Sequence, residues 1–382
     1  MGNGEGPAAD RGGGDEAGAI RGARRGPGRF VPRRVPRRAT VRRAAKWTAL
    51  ALAVLVLLPA AAGGVALRLN YTGGTPDDAR TRGRDALWLG HAWVDGRKDA
   101  GDLAALKRRL RGTGVRDLYV HTGPLEHDGT LRADRYPRAA WLLRAVEREL
   151  PGVRTQAWLG DVLAYGDERG GSGKGLRLAD PRSRRAVVGS ARQVLDAGFD
   201  GVHFDLEPLR SDDGDYLRLL DRLRPAVRER RGVLSVAAHQ IDPLPGTHTV
   251  SAAVRGRGKW WTQRYFGQVA RRVDQIAVMS YDTALPLESL YGGYVAQQTA
   301  LALEVAPEKV DLLMGLPFYH TDDMGHHASA ETVYGAVRGV RLGLAREAGE
   351  RRRFGVALYV DFAATENDWK VYRRDWCATS GS

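Results

Sequence analysis

Between about residue 85 and residue 376 the chain alternates two kinds of segment. Short apolar runs closed by polar or glycine residues are followed by longer Arg- and Leu-rich stretches whose apolar positions recur at helical spacing. The runs predict strands at 86–94, 117–122, 154–159, 201–206, 233–238, 275–281, 312–316 and 355–360. The stretches between them predict helices, among them 102–111, 139–150, 184–197 and 215–230. Eight strands alternating with helices predict an α/β fold, a closed (β/α)8 TIM barrel over 85–376, with 377–382 as a tail. No self-similarity of solenoid period interrupts the pattern.

Upstream the pattern changes. Residues 47–67 read WTALALAVLVLLPAAAGGVAL and carry no charge, a run of the length that crosses a bilayer as one helix. Arg42, Arg43 and Lys46 flank it on one side and Arg68 on the other. The basic excess on the N-terminal side predicts a single-pass anchor over 47–68, with residues 1–46 in the cytoplasm and the barrel outside. Pro59 is tolerated in such a span. The alternative is a cleaved export signal, with Ala60-Ala61-Ala62 as a small-residue cleavage site and Arg42-Arg43 as a faint twin-arginine feature; the barrel is then secreted. Residues 1–46 are rich in Gly, Arg, Pro and Ala, with Phe30 as their one aromatic, and are expected to be disordered. Residues 69–84 read as a polar linker.

Charge alters the picture less than it first suggests. The chain has 382 residues, a formal net charge of +14 and a pI near 10.1. Residues 1–46 hold 12 Lys or Arg against 4 Asp or Glu, so most of the excess lies there, and no basic run interleaved with aromatics follows. A nucleic-acid partner is therefore not expected. The one cysteine, Cys377, excludes an internal disulfide and a Cys-rich zinc site, and is expected to be an inert thiol. The Gly-rich stretch 166–175 lacks phosphate-loop spacing and reads as a mobile loop, and His326-His327 as an exposed loop pair.

The chemistry concentrates in the fourth strand, Phe199-Asp200-Gly201-Val202-His203-Phe204-Asp205-Leu206-Glu207-Pro208. Strand alternation puts His203, Asp205 and Glu207 on one face and Val202, Phe204 and Leu206 on the other. An imidazole and two carboxylates inside a barrel are costly without partners, and neighbouring carboxylates raise the proton affinity of one of them, as a general acid requires. Other strand ends supply ring and polar groups suited to sugar faces: His91 and Trp93, His121, Trp158, His239 with Gln240, and Tyr359.

The fourth-strand run resembles the active-site strand of glycoside hydrolase family 18, the chitinase and endo-N-acetylglucosaminidase family, written D-G-x-D-x-D-x-E. Asp200, Gly201, Asp205 and Glu207 match it. Met279-Ser280-Tyr281-Asp282 is similar to the family's M-x-Y-D, and Gly315-Leu316-Pro317-Phe318-Tyr319 is a weaker match on strand seven. The resemblance covers about residues 85–365 and implies a retaining, substrate-assisted glycosidase. It implies Glu207 as the acid on the glycosidic oxygen. It implies Asp205 as the group that orients the 2-acetamido nucleophile, and Tyr281 as the donor to the acetamido oxygen. Asp282 is implied to line the sugar site, beside Met279 and Tyr319. The substrate class implied is a β-linked polysaccharide or oligosaccharide containing N-acetylhexosamine, and no cofactor or metal is expected.

Two positions depart from the family. His203 stands where Asp or Asn is usual, and the eighth strand has Tyr359 in place of the stacking Trp, so the substrate need not be chitin. Two other readings stay open on the sequence. One is a non-catalytic, lectin-like barrel. The other is a metal-dependent barrel hydrolase with His91, His121, His203, Asp205 and His239 as ligands.

Overall fold

The computed structural model describes residues 38–166, 174–249, 259–347 and 351–378. The expected disorder of residues 1–37, most of the glycine-rich 166–175 stretch and the tail beyond residue 378 lie outside the described residues. Chain contacts divide the molecule between Leu58 and Pro59 into two units.

The larger unit is a closed barrel of eight parallel strands: β1 (Asp85–Leu89), β2 (Val115–Pro124), β3 (Arg154–Val162), β4 (Gly201–Glu207), β5 (Val233–Ala238), β8 (Gln275–Val278), β9 (Asp311–Pro317) and β10 (Phe354–Tyr359). They pair in chain order, and β10 closes on β1 through Ala86 against Ala357. A two-stranded parallel patch, β6 (Gln240–Ile241) with β7 (Trp260–Trp261), stands outside the barrel. Helices follow the strands as expected, including Ala139–Glu149, Pro181–Asp196, Gly214–Glu229, Glu288–Val305 and Val333–Glu347. Their starts are written in the chain: Asp180 caps Arg182 N ahead of Pro181, and Asp213 caps Asp215 N and Tyr216 N.

Two expected strands are shorter than the apolar runs suggested. The first ends at Leu89, and Ala92–Asp95 forms one helical turn, so Trp93 is not on a strand. The sixth barrel strand ends at Val278, and Asp282 and Ala284 adopt left-handed backbone (φ 57° and 58°), which leaves Tyr281 on the loop that caps it.

The barrel floor carries a polar network. Asp117 accepts two bonds from Arg154 at 2.8 Å, one from Gln156 at 2.9 Å and one from Gln275 at 3.0 Å, and Tyr119 donates to Gln275 at 2.8 Å. Above it lies a small apolar layer of Ala86, Trp88, Ala277, Leu313 and Ala357. The larger core fills the space between strands and helices.

Helix Arg38–Asn70 passes through Pro59, and its stretch Ala45–Asn70 is long and apolar enough to cross a membrane. The helix starts earlier than the expected span, because the Ala- and Arg-rich residues before Trp47 are good helix formers. At Gly293 a side chain would collide with the Leu67 carbonyl, so this glycine lets the helix end lie on helix Glu288–Val305. The expected linker 69–84 does not stand free. Residues 69 and 70 complete the helix. Arg341 then donates to the carbonyls of Ala79 and Pro76 at 2.9 and 2.8 Å, Arg338 to Gly73 at 2.9 Å, and Thr81 N to Trp376 O at 3.1 Å. A polar segment reads as a linker in sequence, but here its carbonyls accept from Arg338 and from the buried Arg341 guanidinium.

Candidate active site

The inward face of β4 climbs the barrel in three steps. His203, the lowest, is fully buried, stacks on Tyr119 at 3.8 Å between ring centres, and pairs through Nδ1 with Ser235 Oγ at 2.8 Å. Burial drives its pKa down to about 3, so it is neutral. Although it shares the inward face with Asp205 and Glu207, His203 is not part of the cleft lining: the ring belongs to the layer beneath the site and its polar partner is on β5.

Asp205 is the middle step. Its Oδ2 accepts from Trp158 Nε1 on β3 at 3.1 Å, and its Oδ1 is buried with no hydrogen-bond partner among the described residues. Burial pushes this carboxyl up to about 6, against the pull of the Trp158 bond. Glu207 is the top step, its side chain 48% exposed, with His239 Nδ1 3.8 Å from its Oε1. His239 Nε2 accepts from Leu209 N at 3.1 Å, which assigns the imidazole proton to Nδ1, on the side of Glu207. Burial lowers His239 to about 4 and keeps it neutral. The Glu207–Pro208 and Tyr359–Val360 peptide bonds are cis.

Across the mouth, the Tyr281 and Tyr359 rings stack at 5.2 Å, with Tyr319 edge-on to both. Burial holds the Tyr281 hydroxyl well above its usual range, with Tyr359, Tyr319, Asp205 and Asp282 adding to the shift, so it is a donor at neutral pH. Asp205, Glu207, His239, Met279, Tyr281, Asp282 and Tyr359 line one cleft of about 770 Å³ at the C-terminal end of the strands, together with Pro208, Gln240, Lys259, Met324 and Gly325.

The remaining expected residues stand behind this cleft. Gln240 borders it, but its amide is fully engaged: Nε2 donates to the carbonyls of Met279 and Tyr281, and Oε1 accepts from Tyr294. Gln240 thus holds the backbone that presents Tyr281. Trp93 is buried and donates to Asp361 at 2.8 Å, away from the cleft lining. His91 Nδ1 pairs with the His121 carbonyl at 2.9 Å, and the His121 ring meets Trp158 edge-on at 4.7 Å, so both support Trp158. Trp158 reaches the site through its bond to Asp205 rather than as a sugar platform. Tyr319 donates to Asp282.

His326 overturns an expectation. It is fully buried, not exposed, and its Nδ1 lies 3.2 Å from Asp282 Oδ1 and 3.3 Å from Glu331 Oε2. The geometry favours ion pairing over two full hydrogen bonds. Burial opposes its charge, but the two carboxylates outweigh burial and raise it to about 9. Glu331 is anchored in turn by Thr283 N, Thr283 Oγ1 and Ala284 N. These three side chains are the group of potential metal ligands found among the described residues, with ligand atoms within 4.8 Å of one another. The imidazolium already supplies a positive charge there. The five residues of the metal-dependent reading are not gathered into such a group: His91 and His121 pair with each other, His203 lies in the floor and His239 faces Glu207.

Sequence reasoning missed Lys259, which donates to the Asp282 carbonyl at 2.5 Å, and the His326–Glu331 pair. A buried-loop His beside Asp and Glu carries no local signal, and only the fold brings residues 282, 326 and 331 together.

The family model for glycosyl hydrolases family 18 matches residues 166–367, just over half of the chain. This stretch starts later than the resemblance suggested and contains β4 and the Met279–Asp282 segment. Among solved structures, the chain is similar to the spore cortex-lytic enzyme SleL of Bacillus megaterium QM B1551, at 12% identity and a TM-score of 0.55, over 78% of this chain and 75% of that one. It is likewise similar to SleL of Bacillus cereus, at 13% identity and 0.54, over 78% and 76%. A chitinase from Chromobacterium violaceum ATCC 12472 matches at 14% identity and 0.52, over 76% and 98%. At such identities these likenesses speak for the barrel alone. No match is found among curated protein sequences. By the extent of the family match, and with its acidic strand at the mouth of a closed barrel, the chain belongs to glycosyl hydrolases family 18 and is a glycosidase.

Proposed function

We propose that this glycosidase is held at the outer face of a membrane by helix Arg38–Asn70 and cleaves a β-linked glycan containing N-acetylhexosamine, with retention of configuration. The observation that carries the reading is the shared cleft of Asp205, Glu207 and Tyr281, with a buried, unpartnered carboxylate oxygen on Asp205. That oxygen suits an acetamido N–H, a donor no group among the described residues supplies.

In this mechanism Glu207 gives its proton to the glycosidic oxygen as the bond to the anomeric carbon breaks. The acetamido oxygen closes on that carbon, forming an oxazolinium ion. Asp205 accepts from the acetamido nitrogen and stabilises the positive charge developing there, and Tyr281 donates to the acetamido oxygen and positions it for attack. Water then opens the oxazolinium ring from the face the leaving group vacated, losing a proton to Glu207. A carboxyl with its pKa near 6 is ionised at neutral pH, the state that balances the charge growing on the nitrogen. Neutral His203 leaves that role to Asp205.

The test is turnover of N-acetylated against de-acetylated oligosaccharides by the wild type and Glu207→Gln. The variant is expected to lose about 10²–10⁴-fold in kcat while still binding the acetylated sugar. The first-formed product should be the β-anomer by NMR. Equal turnover by the two proteins would reject the assignment.

A further inference from the structure

A second cavity, of about 580 Å³, lies beside the sugar cleft and has no part in the hydrolytic chemistry. Ala62, Ala66 and Leu67 form one wall, and Leu244, Trp260 and Leu285 the other. Gln240 and Lys259 line both cavities, so the apolar groove adjoins the sugar cleft. At that junction stands the Lys259 ammonium, bonded to the Asp282 carbonyl. Leu244 is 66% exposed, an apolar surface that water does not favour. The groove's helical wall belongs to the apolar stretch Ala45–Asn70. About 20 helical residues cross the hydrocarbon layer, so a span that begins at Lys46 reaches the outer interface near Ala66, with Arg68 in the headgroups. The groove therefore opens at the outer leaflet. Trp260, whose indole donates to Tyr294, has the amphipathic character of an interfacial ring.

We propose that the substrate is a lipid-linked glycan: an isoprenyl chain in the groove, its phosphate or diphosphate at Lys259, and the N-acetylhexosamine units in the cleft. At roughly 30 Å³ per methylene-sized group, taken as for water, the groove holds on the order of twenty chain carbons, one chain rather than a pair. The reaction remains hydrolysis of a sugar–sugar bond by water, and the phosphate ester stays intact. This rests on the glycosidase mechanism above and adds the carrier of its substrate.

The test uses the full chain in phosphatidylcholine nanodiscs and two probes: a β-1,4-linked N-acetylglucosamine trisaccharide joined through a diphosphate to a C20 isoprenyl chain, and the same trisaccharide free. The lipid-linked probe is expected to have a kcat/KM at least about tenfold higher. Leu244→Glu should bring the two within about twofold by lowering only the lipid-linked value; Leu244→Gln serves if the charged variant does not fold. In parallel, the Glu207→Gln full chain is irradiated with a benzophenone-bearing isoprenyl diphosphate or a benzophenone-bearing phosphatidylcholine. The isoprenyl probe should label the helix near residues 62–67 and the segment around Leu244, and unlabelled isoprenyl diphosphate should compete. Equal kcat/KM for the two sugars, an equal fall of both in Leu244→Glu, or equally strong labelling by phosphatidylcholine would overturn the proposal. If neither sugar is cleaved, the glycosidase mechanism fails, and the labelling still decides what the groove binds.

Discussion

Asp117 at the floor of the barrel and Asp205 near its mouth are both carboxylates enclosed by protein, and their surroundings differ completely. Asp117 has both oxygens occupied by Arg154, Gln156 and Gln275. Asp205 has one oxygen on Trp158 and the other bare. A buried polar group with every partner in place contributes to one well-defined structure; one with a vacant oxygen costs stability unless something else comes to fill it. The difference separates residues that hold this barrel from those the proposed mechanism assigns to a ligand, although all are inward-facing polar side chains.

Breaking the floor should have the largest effect. Asp117→Ala leaves the Arg154 guanidinium and the Gln275 amide without their acceptor and takes one of two from Gln156, and is expected to destabilise the protein by about 3–5 kcal/mol in chemical denaturation. Asp205→Asn should behave oppositely, with unfolding little changed and kcat on acetylated sugar lower by about 10²–10³-fold. The pH dependence sharpens the contrast. Burial raises Asp205 to about 6, above its unfolded value, so the unfolded state ionises first and the stability contribution declines as pH rises from about 4 to 6. In the proposed mechanism Asp205 acts in its ionised form, so kcat should fall on the acid side of about pH 6, and this limb should be absent in Asp205→Asn.

In the proposed mechanism Tyr281→Phe removes one hydrogen bond to the reacting acetamido group, and it is expected to lower kcat about 3- to 10-fold. The smallest effect concerns His326. Its folded pKa is raised to about 9, so its stabilisation is complete below about pH 6.5 and is lost as pH climbs through 9. His326→Gln should cost about 1–2 kcal/mol at pH 6 and almost nothing above pH 10, by thermal or chemical melts at the two pH values. A pH-independent cost would mean that the imidazole acts through packing alone.

Much of this architecture was legible in the chain. Strand alternation put His203, Asp205 and Glu207 on one face, and that holds. It could not say how far along the barrel axis each lies, which is what removes His203 from the cleft. The run containing Trp93 reads as a continuation of β1, because Trp and Val suit strands, yet the chain turns after Leu89 into Ala92–Asp95. Gln240 and Tyr281 follow strand ends in sequence, but only the fold shows that one amide holds the other's backbone. The burial of His326 depends on the loop after β9 folding back over Asp282, a long-range contact without periodicity.

The bond from Leu209 N to His239 has a consequence for proton bookkeeping during turnover. With the Nε2 lone pair occupied by a backbone amide, this imidazole cannot pick up a second proton without losing that bond. It is therefore a fixed dipole beside Glu207 and not a relay. In the proposed mechanism a single proton then travels in each chemical step, between Glu207 and an oxygen of the sugar or of water, and kcat measured across mixtures of H2O and D2O should fall on a straight line rather than bow.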